Sequence, residues 1–377
     1  MPNQQPVIAV PESDWNHLRA RLRDTRWPTQ WPLSGWVAGT DVDELHRLVN
    51  YWATSFDWRA AERAINELPS HFADIDGVPV HYLRFEAESA DALPIILTHG
   101  WPSSFLELVA LADRLSNPSK YGGSKEDAFV VIVPSLPGFG FSPQRGWGSH
   151  RTPTHELWHR LMHDVLGFER YTAHGGDLGA GVTSRLGDAY PDNVVGIHLL
   201  AVSSPLSFDP ASVTDEEREY LTSIEAWSRD EGGYQHEQQT RPGTLSVGLS
   251  DSPAGMLAWI VEKYRAWSDN GGDLSTTFSD DFLLAQASLY WFTNTISTSF
   301  RPYYEHAQGW TGIVGAVEVP TAVAVFPKDL TLPPRSWAER TYNVTRYTRM
   351  PRGGHFAAHE VPDLLAADIS EFFGPLR

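Results

Sequence analysis

The chain has 377 residues, 41% of them apolar and 12% aromatic, enough for one large domain or two ordinary ones around a sizeable core. Its formal charge of −18 sets it against nucleic acid and anionic membranes, because its field repels phosphate. It contains no cysteine, which excludes disulfides, thiolate nucleophiles and cysteine-ligated metals.

The N-terminal MPNQQPVIAV lacks the basic and long apolar regions of a signal peptide. No apolar run approaches the roughly 18 residues of a membrane span, so the expectation is a soluble cytoplasmic protein. Residues 1–75 read as a helical segment packing on the core. Ser13 is a candidate cap for a helix carrying Trp15, Leu18 and Leu22. Leu45, Leu48, Val49 and Trp52 then repeat at helical spacing, followed by Trp58, Ala61, Ile65 and Leu68. HFADI-DG-VPVHYLRF is two alternating runs around Asp76-Gly77, a hairpin signal.

Buried-strand runs follow at Pro94–Thr98, Phe129–Pro134, Tyr171–His174 and Val194–Val202, separated by helical segments. This alternation predicts an α/β fold, a mostly parallel sheet with helices on both faces. From Ser204 to Trp310 the alternation stops in favour of a helical, Trp- and Tyr-rich insertion. Strands return at Thr321–Phe326 and Tyr342–Met350, and a helix with Leu364, Leu365, Ile369 and Phe372 ends the chain. The expected organisation is a helical segment (1–75), a core in two parts (76–203 and 311–377) and a helical cap (204–310) between those parts.

Three stretches carry chemistry. In YTAHGGDLGAGV a strand runs into Gly175-Gly176-Asp177-Leu178-Gly179, the G-x-S-x-G nucleophile elbow with aspartate in place of serine. The plain alternative is a glycine-rich turn with Asp177 as a helix cap. Asp329 in FPKDL and His355 in PRGGHFAAHE follow the strand runs Thr321–Phe326 and Tyr342–Met350, so nucleophile, acid and histidine come in the α/β-hydrolase order. HELWH places His155 and His159 four apart with Glu156 between, a formal zinc-hydrolase match that lacks a third ligand; Leu157, Trp158, Leu161, Val165 and Leu166 read as an ordinary buried face. THGWPSSF suits an oxyanion loop with the Trp101 N–H turned inward, or a plain turn capped by Ser103 or Ser104.

Aspartate has a chemical logic at such an elbow. Serine attacking saturated carbon gives an ether that activated water cannot cleave. Aspartate gives an ester whose carbonyl belongs to the enzyme, and water activated by His355 and oriented by Asp329 can attack it. The oxyanion then forms on Asp177, with the N–H groups of Trp101 and Leu178 as donors. The bonds suited to this scheme are the C–O of an epoxide and the C–halogen of an alkyl halide.

These motifs, with PSLPGFGFSP, SDSPAGMLAWIVEKYRAW, SFRPYYE and PDLLAADI, resemble the microsomal-type epoxide hydrolases of the α/β-hydrolase superfamily, particularly soluble bacterial members. The resemblance implies Asp177 as nucleophile, Asp329 as acid and His355 as base. It implies two cap tyrosines that hold the epoxide oxygen, Tyr234 and Tyr303, with Tyr304 a second choice. It implies a small-molecule epoxide bound against Trp101 and Tyr304, no cofactor and no metal, and it leaves a homodimer open. Leu178 stands where the family usually has tryptophan, and the family's membrane-anchoring N-terminal helix has no counterpart. A haloalkane dehalogenase shares the aspartate but cradles halide with indole N–H groups, which Leu178 cannot supply. A catalytically inactive binding module would not need Asp177, Asp329 and His355 together.

Overall fold

The computed structural model describes residues 6–29, 31–146 and 152–377; Met1–Gln5 of the N-terminal stretch lie outside the described residues. Helices α1 (Glu12–Arg23), α2 (Val42–Thr54) and α3 (Trp58–Glu67) come first. Trp15, Leu18 and Leu22 of α1 and Leu45, Leu48, Val49 and Trp52 of α2 are buried, as the spacing predicts. Ser13 does not cap α1: the helix begins at Glu12 after Pro11, and the Ser13 hydroxyl bonds Asp14. Pro11 takes the N-cap position at φ −57° and ψ 146°, with no side-chain cap hydrogen bond.

The hairpin forms as read, β1 (Ser70–Ile75) and β2 (Val78–Phe85) turning at Asp76-Gly77. Then come β3 (Leu93–Thr98), α4 (Phe105–Ser116), β4 (Phe129–Pro134), α5 (Thr154–Arg160), β5 (Tyr171–Gly175), α6 (Asp177–Ala189) and β6 (Val194–Leu199). The strand read as Val194–Val202 stops at Leu199, where the chain leaves the sheet. Past α5 the helix widens into a π-turn over Leu161–Val165, so Val165 rotates off the buried face and is 47% exposed.

The insertion holds α7 (Asp215–Asp230), α8 (Gly233–Thr240), α9 (Pro242–Asp251), α10 (Pro253–Trp267), α11 (Asp280–Thr293), α12 (Ile296–Ser299) and α13 (Arg301–Ala307). The N-terminal helices lie against it: Trp52 Nε1 donates to Ser288 at 3.0 Å, Thr40 to the Ala258 carbonyl at 2.7 Å, and Arg47 pairs with Asp280. β7 (Val317–Val325), α14 (Arg335–Ala338), β8 (Tyr342–Arg349), α15 (Ala357–Glu360) and α16 (Pro362–Phe373) complete the chain.

The sheet has the order β1-β2-β4-β3-β5-β6-β7-β8, antiparallel through β1, β2 and β4 and parallel thereafter. Helices on both sides explain the near-continuous apolar runs of β3, β4 and β5. The parallel strands all end at one edge, so Trp101, Asp177, Asp329 and His355 gather there although 254 positions separate the first from the last. No helix of the described residues is long and apolar enough to cross a membrane.

A buried polar chain crosses the sheet. His174 on β5 meets His198 on β6 at 3.0 Å, and His198 Nε2 donates to Asp368 on α16 at 2.9 Å. Asp368 also accepts from Arg346 at 2.6 Å and Thr348 at 2.8 Å. Burial by itself would raise the Asp368 pKa, but these donors outweigh it and hold the carboxyl below its usual range. Its stabilising contribution is therefore present above the pKa of the unfolded carboxyl and is lost as pH falls through the depressed folded value. Asp368→Ala is expected to cost about 3–5 kcal/mol in denaturant unfolding at neutral pH, the scale for removing one partner of a buried charged pair, and less in acid.

Candidate active site

The elbow is held by contacts that exclude side chains. Asp177, a non-glycine residue, opens α6 at φ +48°. This left-handed conformation costs about 1–3 kcal/mol and persists only where its surroundings enforce it. A Cβ on Gly179 would collide with the Thr98 carbonyl, and one on Gly100 would collide with the Asp177 side chain. Glycine on both sides of the elbow is therefore required by close approach of β3, its following loop and α6.

Asp177 meets two groups, the Trp101 N–H and His355. Its Oδ1 accepts from the Trp101 N–H at 2.8 Å. The first turn of α6 leaves the Leu178 N–H without an intrahelical acceptor, the first such bond in the helix being Ala180 N–H to the Gly176 carbonyl at 3.0 Å. Asp177 Oδ2 lies 3.6 Å from His355 Nε2, and His355 Nδ1 lies 2.7 Å from Asp329 Oδ1. The structure thus brings together all three members of the triad read from the sequence.

The loops around them are fastened independently. His99 accepts from the Leu136 N–H at 3.2 Å and meets the Gly100 carbonyl at 3.1 Å, which ties the Trp101 loop to the loop after β4. Burial lowers its pKa to about 4, so it is neutral and can accept at one nitrogen while donating at the other. Ser104, one of the two cap candidates, caps α4 through the Leu106 N–H at 3.2 Å. Glu360 accepts from the N–H groups of Asp269, Gly354 and Phe356 at 2.8–3.0 Å and so shapes the turn carrying His355.

Charge sets the protonation states. Burial would lower the pKa of His355, but the charges of Asp329 and Asp177 on either side outweigh it and hold the imidazole well above its ordinary value. The two neighbouring acidic side chains thus favour the protonated form of the imidazole. Glu107 of α4 is also buried, and burial pushes its carboxyl up to about 7 against the opposing effect of Ser103.

Tyr234 and Tyr303 both line a cavity of about 430 Å³ that contains Asp177, Asp329 and His355. Burial first, then the Asp177 charge, raises both phenols well above their usual pKa, so both stay protonated as donors. The Tyr303 hydroxyl, buried beside the Tyr234 phenol, makes no other hydrogen bond among the described residues. Tyr234 stacks on Trp101 with ring centroids 5.2 Å apart and 7° between planes, with the Lys263 ammonium 4.8 Å from its ring. On α13, Arg301 pairs with Glu305 at 2.5 Å and bonds the Gly146 carbonyl at 2.7 Å, contacts that fasten this helix, from which Tyr303 reaches the cavity.

Two sequence expectations meet a different geometry. Tyr304 does not line the cavity; one residue along α13 from Tyr303 it points elsewhere and packs edge-on to Trp310 at 5.9 Å. The Trp101 ring is fully buried behind Tyr234 and does not line the main cavity either. In HELWH the two histidines serve different environments: His155 lines the cavity, while His159 bonds Tyr171 at 2.9 Å and stacks on Tyr190 at 3.7 Å. Among the described residues no cluster of three metal-ligating side chains includes them.

The sequence reading passed over a second space. A chamber of about 20 Å³, the size for one water, is lined by Asp177, His355, Glu107 and His174 among others. Glu107 falls on the helical side of HGWPSSFLE, and only the packing of α4 reveals that it turns to the catalytic edge rather than to solvent.

Known proteins similar to this chain cover nearly its whole length. Residues 4–108 match the family described as epoxide hydrolase N terminus, and residues 94–231 match the alpha/beta hydrolase fold. Epoxide hydrolase 1 of Sus scrofa is 32% identical over 98% of this chain and 88% of its own length. A protein of Stigmatella aurantiaca that carries a provisional name of the same kind is 42% identical over 98% of this chain and 84% of its own. The structure of Aspergillus niger epoxide hydrolase superposes with a TM-score of 0.84 at 30% identity, over 98% of this chain and 95% of that one. The chain belongs to the epoxide hydrolases of microsomal type, hydrolases built on the α/β-hydrolase fold.

Proposed function

We propose that the protein adds water to an epoxide to give a vicinal diol through a covalent ester on Asp177. The observation that carries this reading is Asp177 between the Trp101 N–H and His355, facing two buried phenols across one cavity. Tyr234 and Tyr303 donate hydrogen bonds to the oxirane oxygen while an Asp177 oxygen attacks one ring carbon. The C–O bond to that carbon breaks, and the freed oxygen takes a proton through the phenols.

Ester formation removes the negative charge of Asp177, one of the two charges that raise the His355 pKa. The imidazolium then releases its proton, which makes good the one given to the ring oxygen. Neutral His355, held by Asp329, takes a proton from water in the small chamber beside it, and that water attacks the ester carbonyl. The oxyanion lies against the N–H groups of Trp101 and Leu178 at the positive end of α6. Collapse releases the diol and restores the carboxylate.

The order of bond making dictates the isotope result. In a single turnover in ¹⁸O-water, the diol should carry unlabelled oxygen from Asp177, and the label should appear in the Asp177 carboxylate on peptide mass analysis. Label in the diol after a single turnover would mean direct attack by water and would end the ester reading.

A dehalogenase shares the first half of this chemistry, but Leu178 gives the cavity wall no indole donor. Trp227 on α7 is the tryptophan that lines the cavity, edge-on to Tyr234 with ring centroids 6.3 Å apart, while the buried indole N–H groups of Trp101 and Trp267 do not reach that wall. Bromoalkanes and chloroalkanes are expected to release halide at least about 100-fold more slowly than a good epoxide is opened, the scale for a missing anion donor. Halide release that equalled epoxide turnover would assign the cavity to carbon–halogen cleavage.

A further inference from the structure

The main cavity is lined by a cation that has no anionic partner among the described residues. Asp177, Gly181 and Arg185 recur every four residues along α6, and all three line the cavity. Arg185 is half-buried, and its hydrogen bonds all go to backbone carbonyls: Gly181 at 2.8 Å and Gly312 at 3.1 and 3.4 Å. Among the described residues no carboxylate forms an ion pair with it. The guanidinium has five N–H groups, and these three contacts leave one on each terminal nitrogen, the fork that suits a carboxylate.

The surrounding charges are sparse. Asp188, one turn on, accepts from the Gly315 N–H at 2.8 Å. Arg145 and Arg301 share Glu305 on the opposite wall, so that wall adds no net negative charge. His155 faces the same space, and burial together with the positive charge of Arg185 pushes it down to about 4. The imidazole is thus neutral, and Arg185 is a cation of the cavity wall that no carboxylate of the described residues pairs with, unlike Arg145 and Arg301.

Building on the proposed epoxide chemistry, we infer that Arg185 is a specificity residue that binds a carboxylate or similar anion on the substrate, at the opposite end from the oxirane. Eight residues of helix separate Arg185 from Asp177, about 12 Å of backbone rise, and the guanidinium reaches back one turn to the Gly181 carbonyl, so the anion and the oxirane are joined by a chain of roughly six to nine bonds. Gly181 keeps the helix face between them clear, since a Cβ there would crowd the Arg185 side chain at 3.2 Å.

The test compares a terminal-oxirane fatty acid of about ten carbons, matched to the helix rise, with its methyl ester. Wild-type kcat/KM for the acid should exceed that for the ester by about tenfold or more at low ionic strength. In Arg185→Gln the ratio should fall to about one, and Arg185→Lys, which keeps the charge but loses the fork, should lie between. Decanoate binding, read by calorimetry, should be lost in Arg185→Gln. Wild-type enzyme that turns over the ester as well as the acid overturns the anion site and leaves the epoxide reading standing. Arg185-dependent decanoate binding without turnover of any epoxide does the reverse. The wild-type ratio decides the matter even if Arg185→Gln fails to fold.

Discussion

Replacing His355 with glutamine is expected to leave a protein that reacts once with its epoxide and then stops. Asp177 needs no base for the first step, because a carboxylate is ionised at neutral pH. The Trp101 N–H at 2.8 Å and both phenols are untouched by the change. Glutamine cannot take a proton from water, so the ester has no route to hydrolysis. Intact-mass analysis should show one substrate mass added per chain, and peptide mapping should place it on Asp177. Steady-state turnover should fall about 10⁴-fold or more, the scale for losing the base of a group that acts as a unit. Full turnover by this variant, or an adduct on any residue other than Asp177, would refute the two-step scheme. Glu107→Gln should show a milder form of the same pattern, slowing ester hydrolysis more than ester formation, because Glu107 lines the water chamber rather than the main cavity.

The second large effect is expected from the paired phenols. Tyr234→Phe and Tyr303→Phe each remove one donor to the oxygen on which charge develops, at a cost of about 2.7–4 kcal/mol for such a donor in a dry site. Each ring keeps its packing: Tyr234 stays stacked on Trp101 at 5.2 Å and Tyr303 stays edge-on to it at 6.0 Å. The loss should therefore appear in the rate of ester formation, read in a stopped-flow single turnover, and not in folding. One phenol can partly cover for the other, since their rings lie 6.0 Å apart, so the double variant should lose more than either single one and be almost inactive. A double variant that alkylates at the wild-type rate would remove both residues from the mechanism.

Much of this protein is determined by its sequence alone, for physical reasons that act locally. Apolar spacing specifies α2, since Leu45, Leu48, Val49 and Trp52 can share a buried stripe only in a helix. Continuous β-branched runs specify β4 because a strand covered on both faces has no polar side. Gly175, Asp177 and Gly179 identify the elbow because a Cβ at Gly175 would strike the Gly179 carbonyl and one at Gly179 the Thr98 carbonyl. Strand ends and chain order then select Asp329 and His355.

Tertiary structure decides what depends on direction and distance. Tyr303 and Tyr304 are adjacent in sequence with the same side chain, and only the packing of α13 places one on the cavity wall and the other against Trp310. The π-turn after α5 moves Val165 out of a stripe that the spacing assigned to the interior. HELWH satisfies a motif, yet His155 and His159 enter different surroundings because α5 packs edge-on between the cavity and Tyr171. Glu107, His174 and Arg185 sit in segments that read as ordinary helix and strand. Their settings, a water-sized chamber and the wall of a 430 Å³ cavity, arise from elements that meet only when the sheet closes and the helical insertion folds over its edge. Burial and neighbouring charge are properties of that assembly, which is why the protonation of His355 could not be read from its place in the chain.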